Sequence, residues 1–158
     1  MDFVSSHHGA IPAHALTAEG QFDHPLIARA KLEIAAACHA YGKVPSHNVV
    51  TELNAPDVIS RAARRAGREF GYTRMWSIHP SQIDPIVEAL SPTAADVADA
   101  ERILLAAARA DWGPIRDGDP QAGRLHDRAS YRYYWDVLRR AHAAGVDVSA
   151  EARRQFFS

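Results

Sequence analysis

The sequence contains a single cysteine and no apolar run long enough to cross a bilayer. Cys38 lies among alanines, so one chain can form neither a disulfide framework nor a cysteine-based zinc site, and we expect it to be a small core residue. A membrane-spanning helix needs roughly 18 consecutive apolar residues, and the first residues lack the basic and apolar regions of a signal peptide. We therefore expect a cytoplasmic protein without a membrane partner.

The sequence also lacks an excess of either charge. It has 18 lysines and arginines against 19 aspartates and glutamates, which gives a formal net charge of -1. The basic residues are interspersed with acids rather than gathered in one stripe, and this argues against a nucleic-acid partner. With 158 residues, 47% hydrophobic and 23% charged, the chain has the composition of a globular protein with one core.

Short apolar runs alternate with longer segments of helical periodicity, a pattern typical of a parallel sheet covered by helices. We predict a strand that ends at Phe3-Val4 and further strands over residues 44–50 and 73–78. The sequence does not decide whether a short strand also forms near residue 114. The predicted helices cover residues 25–41, 54–70, 81–90 and 91–112, with a long helix and a short one after residue 123. Residues 114–123, rich in glycine, proline and charge, are predicted to be a loop and a hinge.

The predicted helix over residues 25–41 has apolar residues at helical spacing, and Gly42 supplies a stop signal. We expect its buried face to consist of Ile27, Ala30, Ile34, Ala37 and Tyr41. The whole chain holds about four predicted strands, whereas a closed (β/α)8 barrel needs eight strands and about 250 residues. If the fold is a barrel, the chain therefore holds only its second half.

One block of residues, which begins in the third predicted strand, resembles a known family. The block is Trp76-Ser77-Ile78-His79-Pro80-Ser81-Gln82-Ile83, with Phe70-Gly71-Tyr72 before it and Pro92 and Val97-Ala98-Asp99-Ala100 after it. Two further segments extend the match, Met1-Asp2-Phe3-Val4 and Gly123-Arg124-Leu125-His126-Asp127. Together they resemble the HpcH/HpaI aldolase/citrate lyase family, in its citrate lyase beta-subunit-like branch that acts on CoA thioesters.

The resemblance implies an α/β fold with two parts. Residues 1–113 would form the second half of a TIM (β/α)8 barrel. Residues 114–158 would form a helical extension that packs on a neighbouring subunit of a homo-oligomer, a trimer or a hexamer.

The resemblance also implies a magnesium-dependent carbon–carbon lyase, with manganese as an alternative metal. Its substrate would be a 3-hydroxy-acyl-CoA thioester of the malyl-, citramalyl- or citryl-CoA type, cleaved into an acyl-CoA and a 2-oxo acid. Such chemistry needs a hard cation held by oxygen ligands to polarise the carbonyl, and an acid or base at the acetyl carbon.

Two carboxylates near opposite ends of the chain receive roles from the resemblance. Asp2 would be one of two carboxylate ligands of the metal, and the other, a glutamate on the preceding strand, is not in this chain. From the residues alone, a single carboxylate at a strand end, such as Asp2, is more often a helix cap or a surface acid. Asp127 would be the catalytic acid/base, delivered from an adjacent subunit, but an aspartate directly before a helix also predicts an N-cap. The two roles of Asp127 are compatible.

Three residues of the matched block, His79, Pro80 and Gln82, would contact the substrate or CoA. For His79 we favour a structural role in the turn or in the wall of the pocket, and a base or ligand role is the alternative. Gln82 could bond a substrate oxygen or be a structural or solvated amide.

Two further clusters were considered as sites. A zinc site at His7-His8 is disfavoured, because neighbouring residues on an extended segment point in opposite directions and no third ligand stands at a diagnostic spacing. The aromatic residues Tyr131, Tyr133, Tyr134 and Trp135 cover more than one face of a helix, which predicts either a subunit interface or simple core packing.

Two other functions stay open. One is a pyruvate-type aldolase that does not use CoA, against which the Asp127 segment argues. The other is a truncated, non-catalytic fragment that acts as a binding or assembly module, because the chain lacks the upstream glutamate and an arginine that relatives use for the carboxylate. If the 158-residue chain is the whole product, we expect little magnesium-dependent lyase activity.

Overall fold

The computed structural model describes residue 7, residues 9–118 and residues 123–157. By its internal contacts the chain divides into two compact units, Met1–Leu90 and Ser91–Ser158. No helix within the described ranges is long and apolar enough to cross a membrane. The predicted strand that ends at Phe3-Val4 lies outside the described residues.

The first unit is mainly helical and contains one pair of parallel strands. Its elements are a 3₁₀ turn at Ala13–Leu16, α1 at Gly20–Asp23, α2 at Pro25–Ala40, β1 at Ser46–His47, α3 at Pro56–Phe70, β2 at Arg74–Met75, a 3₁₀ turn at Pro80–Gln82 and α4 at Ile83–Leu90. Ser46 pairs with Arg74, and His47 pairs with Met75. The parallel strands joined by a helix confirm the predicted βα pattern, although each strand is shorter than predicted.

Helix α3 forms where local signals predicted a helix. Pro56 occupies the first turn, where its missing N–H costs no hydrogen bond, and Asp57 lies in the same turn near the positive end of the helix dipole. The helix ends at Gly71, whose φ of +73° suits a residue without Cβ. One face of α3 is buried in the core of the unit, which comprises Ala18, Phe22, Ala35, Val50, Ile59, Ala62, Ala66, Phe70, Tyr72 and Ile86.

The buried face of α2 differs from the prediction. Of the five predicted residues only Ile27 is fully buried, and Ile34, Ala37 and Tyr41 are exposed. The buried positions are instead Ile27, Lys31 and Ala35. The apolar pattern predicted the wrong face because Lys31 has polar partners inside the unit. The stripe of the helix that contains Lys31 therefore faces the core.

The second unit packs two long helices together with a two-stranded hairpin. Its elements are α5 at Ala94–Arg109, β3 at Ile115–Asp117, β4 at Arg124–His126, α6 at Arg128–Ala143 and α7 at Ala150–Phe156. The strands are antiparallel, with Ile115 opposite His126 and Asp117 opposite Arg124. Strand β3 confirms the short strand that the sequence leaves open at the start of residues 114–123, whereas β4 and its pairing with β3 were not predicted.

The core of the second unit comprises Val97, Ala100, Ile103, Leu104, Ala107, Tyr131, Val137, Leu138, Ala141, Val148 and Ala152. Capping boxes begin both long helices. Thr93 and Asp96 form the first, and Asp127 and Ser130 form the second. The predicted boundary between residues 113 and 114 concerns the architecture of a whole barrel protein and stays a prediction.

Candidate functional site

Asp127 is exposed and lies at the N-cap of α6. Its Oδ1 accepts hydrogen bonds from the backbone N–H groups of Ala129 at 3.0 Å and Ser130 at 3.4 Å. The hydroxyl of Ser130 accepts from the Asp127 N–H at 3.1 Å and donates to the Asp127 carbonyl at 3.0 Å. These bonds confirm the predicted N-cap. They leave Oδ2 without a hydrogen-bond donor among the described residues, so the cap does not occupy the whole carboxylate.

The backbone before Asp127 places this carboxylate on the outer side of the hairpin. Successive residues of an extended segment point to opposite sides. His126 is buried, whereas Leu125 is 72% exposed, and Asp127 is extended and exposed. Leu125 and Asp127 therefore share the outward side, and Asp127 faces away from the core of its own unit.

A cleft of about 310 Å³ lies on the inner side of the hairpin. It is lined by Asp99, Arg102, Ile103, Asp117, Gly118, Gly123, Arg124, His126 and Tyr134. Arg102 pairs with Asp99 at 2.7 Å and also with Asp117, so its charge is compensated. Asp127 does not line this cleft, and the cleft and the candidate acid/base are therefore separate features.

His79 and Pro80 lie in the first unit, after β2. Pro80 begins a 3₁₀ turn that His79 caps, since His79 Nδ1 accepts from the Ser81 N–H at 3.2 Å. The same nitrogen lies 2.8 Å from Ser81 Oγ, and Ser81 Oγ donates to the Leu53 carbonyl at 2.8 Å. His79 thus has the structural role favoured from the sequence. Its Nε2 has no hydrogen-bond partner among the described residues, so a ligand contact by His79 stays a prediction.

Gln82 is only 1% exposed, and its side-chain amide forms hydrogen bonds with backbone groups. Its Oε1 accepts from the Ile78 N–H at 3.0 Å, and its Nε2 donates to the carbonyls of Val50 at 2.7 Å and Glu52 at 3.1 Å. Gln82 therefore joins the segment after β1 to the segment after β2. This supports the structural alternative, and the predicted contact of Gln82 with substrate or CoA stays untested.

The segments held together by Gln82 follow two parallel strands, and the carboxyl ends of parallel strands meet at one edge of a sheet. Glu52 follows β1 and His79 follows β2, so both lie on the carboxyl side of this strand pair. The sequence analysis did not single out Glu52. Its signal was its place two residues beyond a predicted strand.

A polar cluster that was not predicted from the sequence consists of the buried residues Gln21, Lys31 and His47 and the exposed residue Asn48. The Lys31 ammonium donates to Gln21 Oε1 at 3.1 Å and to Asn48 Oδ1, and it lies 2.7 Å from His47 Nε2. His47 Nδ1 lies 2.9 Å from the Asn48 carbonyl, which is consistent with a neutral imidazole protonated at Nδ1. Each N–H of Lys31 therefore has an acceptor.

Burial changes the ionisation of this cluster. It lowers the pKa of Lys31 to about 8, because the charged form loses its hydration. Burial first, and the charge of Lys31 second, lower the pKa of His47 to about 3, and the hydrogen bond to Asn48 opposes them. The His47 ring is stacked on Phe22 at 5.2 Å, with the edge of Tyr72 at 5.1 Å. Gln21, Lys31 and His47 are enclosed, and the cluster therefore suits a structural role.

The described residues do not form a metal centre. Within residues 7, 9–118 and 123–157, no group of three or more histidine, cysteine, aspartate or glutamate side chains could hold a metal ion. The predicted ligand Asp2 and the histidine at position 8 lie outside these ranges, so the metal role of Asp2 stays a prediction.

Two curated proteins are similar to the chain over part of their lengths. The chain is 40% identical over 81 residues to the citrate lyase subunit beta-like protein of Deinococcus radiodurans, and the match covers 51% of this chain and 28% of the relative. It is 31% identical over 117 residues to the L-malyl-CoA/beta-methylmalyl-CoA lyase of Rhodobacter capsulatus, covering 74% of this chain and 36% of the relative. No protein-family model matches the chain.

Two solved structures are similar to the fold. A citrate lyase from Burkholderia xenovorans LB400 matches with a TM-score of 0.81 and 61% identity, over 99% of this chain and 48% of that one. The protein CitE from Mycobacterium tuberculosis, in complex with magnesium, acetoacetate and coenzyme A, matches with a TM-score of 0.61 and 25% identity, over 75% of this chain and 42% of that one. The chain thus spans less than half the length of each of these proteins.

These similarities confirm the resemblance predicted from the sequence, and they confirm a helix-rich α/β fold.

Proposed function

We propose that this chain, a relative of the citrate lyase beta-subunit-like proteins, is the C-terminal portion of a magnesium-dependent carbon–carbon lyase. Its substrate would be a 3-hydroxy-acyl-CoA thioester of the malyl-, citramalyl- or citryl-CoA type. The similarity to a malyl-CoA lyase and to a protein in complex with magnesium, acetoacetate and coenzyme A supports this class of substrate. The observation that carries the proposal is the outward-facing carboxylate of Asp127, which is held in place by the first turn of α6 and leaves Oδ2 available.

The reaction requires a group that donates a proton to the enolate carbon, and Asp127 would meet this requirement. When the 3-hydroxyl loses its proton, the bond between C2 and C3 breaks, and its electron pair passes into the enolate of the acyl-CoA thioester. The 2-oxo acid leaves with the former hydroxyl oxygen as its new carbonyl. The enolate carbon must then accept a proton, which Asp127 would donate from its carboxylic acid form and thereby become a carboxylate. In the reverse direction the carboxylate would remove this proton. An exposed and fixed carboxylate suits a substrate held on another surface.

The architecture proposed for the whole protein is a TIM (β/α)8 barrel, of which this chain supplies the second half. The parallel pair of β1 and β2, joined by α3, is the kind of unit from which such a barrel is built. Glu52 and His79 follow these strands on the carboxyl side, where barrel enzymes place their sites. The second unit would pack on a neighbouring subunit of a homo-oligomer and present Asp127 to that subunit's site.

The metal requires ligands beyond the described residues. Asp2 is proposed as one carboxylate ligand of magnesium, with manganese as an alternative. The described residues supply no group of three ligands by themselves, and the second carboxylate would be a glutamate on the strand before Asp2. Magnesium prefers oxygen ligands in octahedral geometry and retains several waters, so two carboxylates would suffice on the protein side.

A non-catalytic binding or assembly module is the second candidate. The observation that favours it is the same lack of a complete metal centre among the described residues. The two candidates differ in whether the protein turns over a thioester at all.

Cleavage of malyl-CoA by protein expressed from the complete reading frame that carries this sequence tests the proposal. We expect magnesium-dependent release of acetyl-CoA and glyoxylate, suppressed by a chelator and restored by added magnesium. A CoA-free hydroxy-keto acid should be a poor substrate, and efficient cleavage of that compound would favour the aldolase alternative. Absence of turnover on malyl-, citramalyl- and citryl-CoA would contradict the lyase and favour the assembly module.

A further inference from the structure

Tyr131 connects the residue before Asp127 to a distant part of the chain. Its side chain is 5% exposed, and its hydroxyl lies 2.7 Å from the carbonyl oxygen of Gly113 and 3.1 Å from that of His126. His126 is the last residue of β4 and directly precedes Asp127. The hydroxyl has one proton, which the two carbonyl oxygens share in a three-centre hydrogen bond, and it therefore joins the chain after α5 to the end of the hairpin.

The Gly113 end of this connection is itself constrained. Asp111 and Trp112 have φ values of 49° and 60°, a left-handed conformation that is costly for residues with a side chain. The Trp112 ring contacts Tyr131 edge-on, with centroids 6.1 Å apart, and also contacts Phe156 at 6.4 Å. The Tyr131 hydroxyl thus holds His126 against a segment that has little freedom to move.

The orientation of Asp127 is fixed from both sides of its Cα. On the C-terminal side, Ser130 and the first turn of α6 hold its carbonyl and Oδ1, and the Ser130 hydroxyl also accepts from the Asp127 N–H. On the N-terminal side, the His126 carbonyl belongs to the peptide that ends in the Asp127 nitrogen, so a bond to this carbonyl fixes the plane of that peptide. Without the hydroxyl, this peptide would be held only through the Asp127 N–H, which donates to Ser130, and the capping box alone would have to orient the carboxylate.

We propose that Tyr131 is a positioning residue for Asp127, acting through the carbonyl of His126. The catalytic consequence rests on the proposed function, in which Asp127 transfers the proton. The anchoring of the peptide before Asp127 does not depend on the identity of the reaction.

Tyr131→Phe tests the anchor, and Tyr133→Phe is a matched control. The control lies two residues away on the same helix, is 63% exposed, and has no hydrogen bond from its hydroxyl among the described residues. Amide hydrogen exchange would be followed at Asp127, Ala129 and Ser130, whose N–H groups form the capping box, and at Ala141 in the buried part of α6. We expect Y131F to lose about five- to tenfold protection at the three cap amides, the effect of about one hydrogen bond, with Ala141 unchanged. Equal protection in Y131F and Y133F, or a uniform loss along α6, would overturn the proposal.

Steady-state kinetics on malyl-CoA separate positioning from local stability. Y131F should lower kcat with little change in KM, because substrate binding is intact and only the proton donor is misoriented. Y133F should match the wild type. If Asp127→Asn abolishes turnover while Y131F retains full kcat, Tyr131 is not a positioning residue. If Asp127→Asn retains turnover, or if the wild type has none, the proposed function fails, and the exchange data still decide whether Tyr131 anchors Asp127.

Discussion

In the unit that ends at Leu90, Lys31 and His47 are 6% and 1% exposed, whereas in the unit that begins at Ser91 the carboxylate of Asp127 is exposed. The buried pair belongs to a cluster in which every N–H of Lys31 has an acceptor. Asp127 instead keeps Oδ2 free of hydrogen bonds among the described residues. A group with all its hydrogen bonds satisfied inside a core stabilises the fold, and a fixed but accessible group can react. The contrast teaches that strongly shifted pKa values, as at Lys31 and His47, can belong to a structural cluster.

The pH dependence of stability should give the largest effect. The pKa of His47 is lowered to about 3 in the folded protein from 6.5, so between these values the unfolded state binds more protons. Stability from neutral His47 is therefore complete above pH 6.5 and is lost as pH falls towards 3, by about 5 kcal/mol in total. Lys31 acts in the same direction between pH 8 and 10.5, since its folded pKa is also lowered, to about 8.

Urea unfolding at several pH values tests this dependence. The difference in unfolding free energy between the wild type and His47→Gln should shrink as pH falls from 7 to 4. His14→Gln, at an exposed histidine of the same unit, should give a difference that does not change with pH. If the unfolding free energies of the two variants changed with pH in the same way, the buried and the exposed histidine would not differ in their effect on stability, which would contradict the account.

Removal of the Lys31 ammonium should have the next largest effect. Lys31→Met keeps the length of the side chain but leaves acceptors on Gln21, His47 and Asn48 without their donor. We expect a loss of about 2 kcal/mol in the free energy of unfolding at pH 7, since the buried acceptors of Gln21 and His47 each cost about 1–3 kcal/mol when unsatisfied. Removal of the desolvation cost that lowers the pKa of Lys31 offsets part of this loss. Lys43→Met, at an exposed lysine, should change stability by less than about 0.5 kcal/mol. Similar losses for both variants would show that the cluster contributes nothing specific.

Gln82→Leu should cost about 2 kcal/mol, because Ile78, Val50 and Glu52 lose their hydrogen-bond partner in a buried setting. Gln155→Leu is the control at an exposed glutamine and should be nearly neutral. The measurement is the unfolding midpoint in urea. A Gln82→Leu protein as stable as the wild type would reopen the interpretation that this amide serves a ligand.

Local signals in the sequence predicted the helices well. The signals are those of Pro56, Gly71 and Asp127. Each acts only on the adjacent turn of the chain, so the start or end of a helix can be inferred from it without the rest of the fold. The family resemblance was also contained in short segments, since it depended on the order of residues rather than on packing.

Features that depend on distant partners were not predictable in the same way. Lys31 is buried because Gln21, His47 and Asn48 meet it from other elements, and no property of α2 alone indicates those partners. The hairpin requires residues 115–117 to pair with residues 124–126 across a polar segment, and the composition of that segment indicated a loop. The aromatic cluster that contains Tyr131 predicted an interface or core packing. It did not indicate that the Tyr131 hydroxyl bridges two carbonyls.

The smallest change in stability and the largest change in rate should come from one substitution. Asparagine caps helices about as well as aspartate, so Asp127→Asn should leave the free energy of unfolding within about 0.5 kcal/mol of the wild type. It removes the proposed proton donor, and the loss in kcat should be about 10²- to 10⁴-fold. Asp84→Asn, at an exposed aspartate of the first unit, should leave both quantities unchanged.

The kcat for malyl-CoA cleavage by Asp127→Asn, with unfolding monitored in the same preparation, is therefore the most direct test of the proposed role of this carboxylate. The account predicts a stable, folded variant with turnover reduced at least about a hundredfold. A variant that is equally stable and retains the wild-type rate would contradict it.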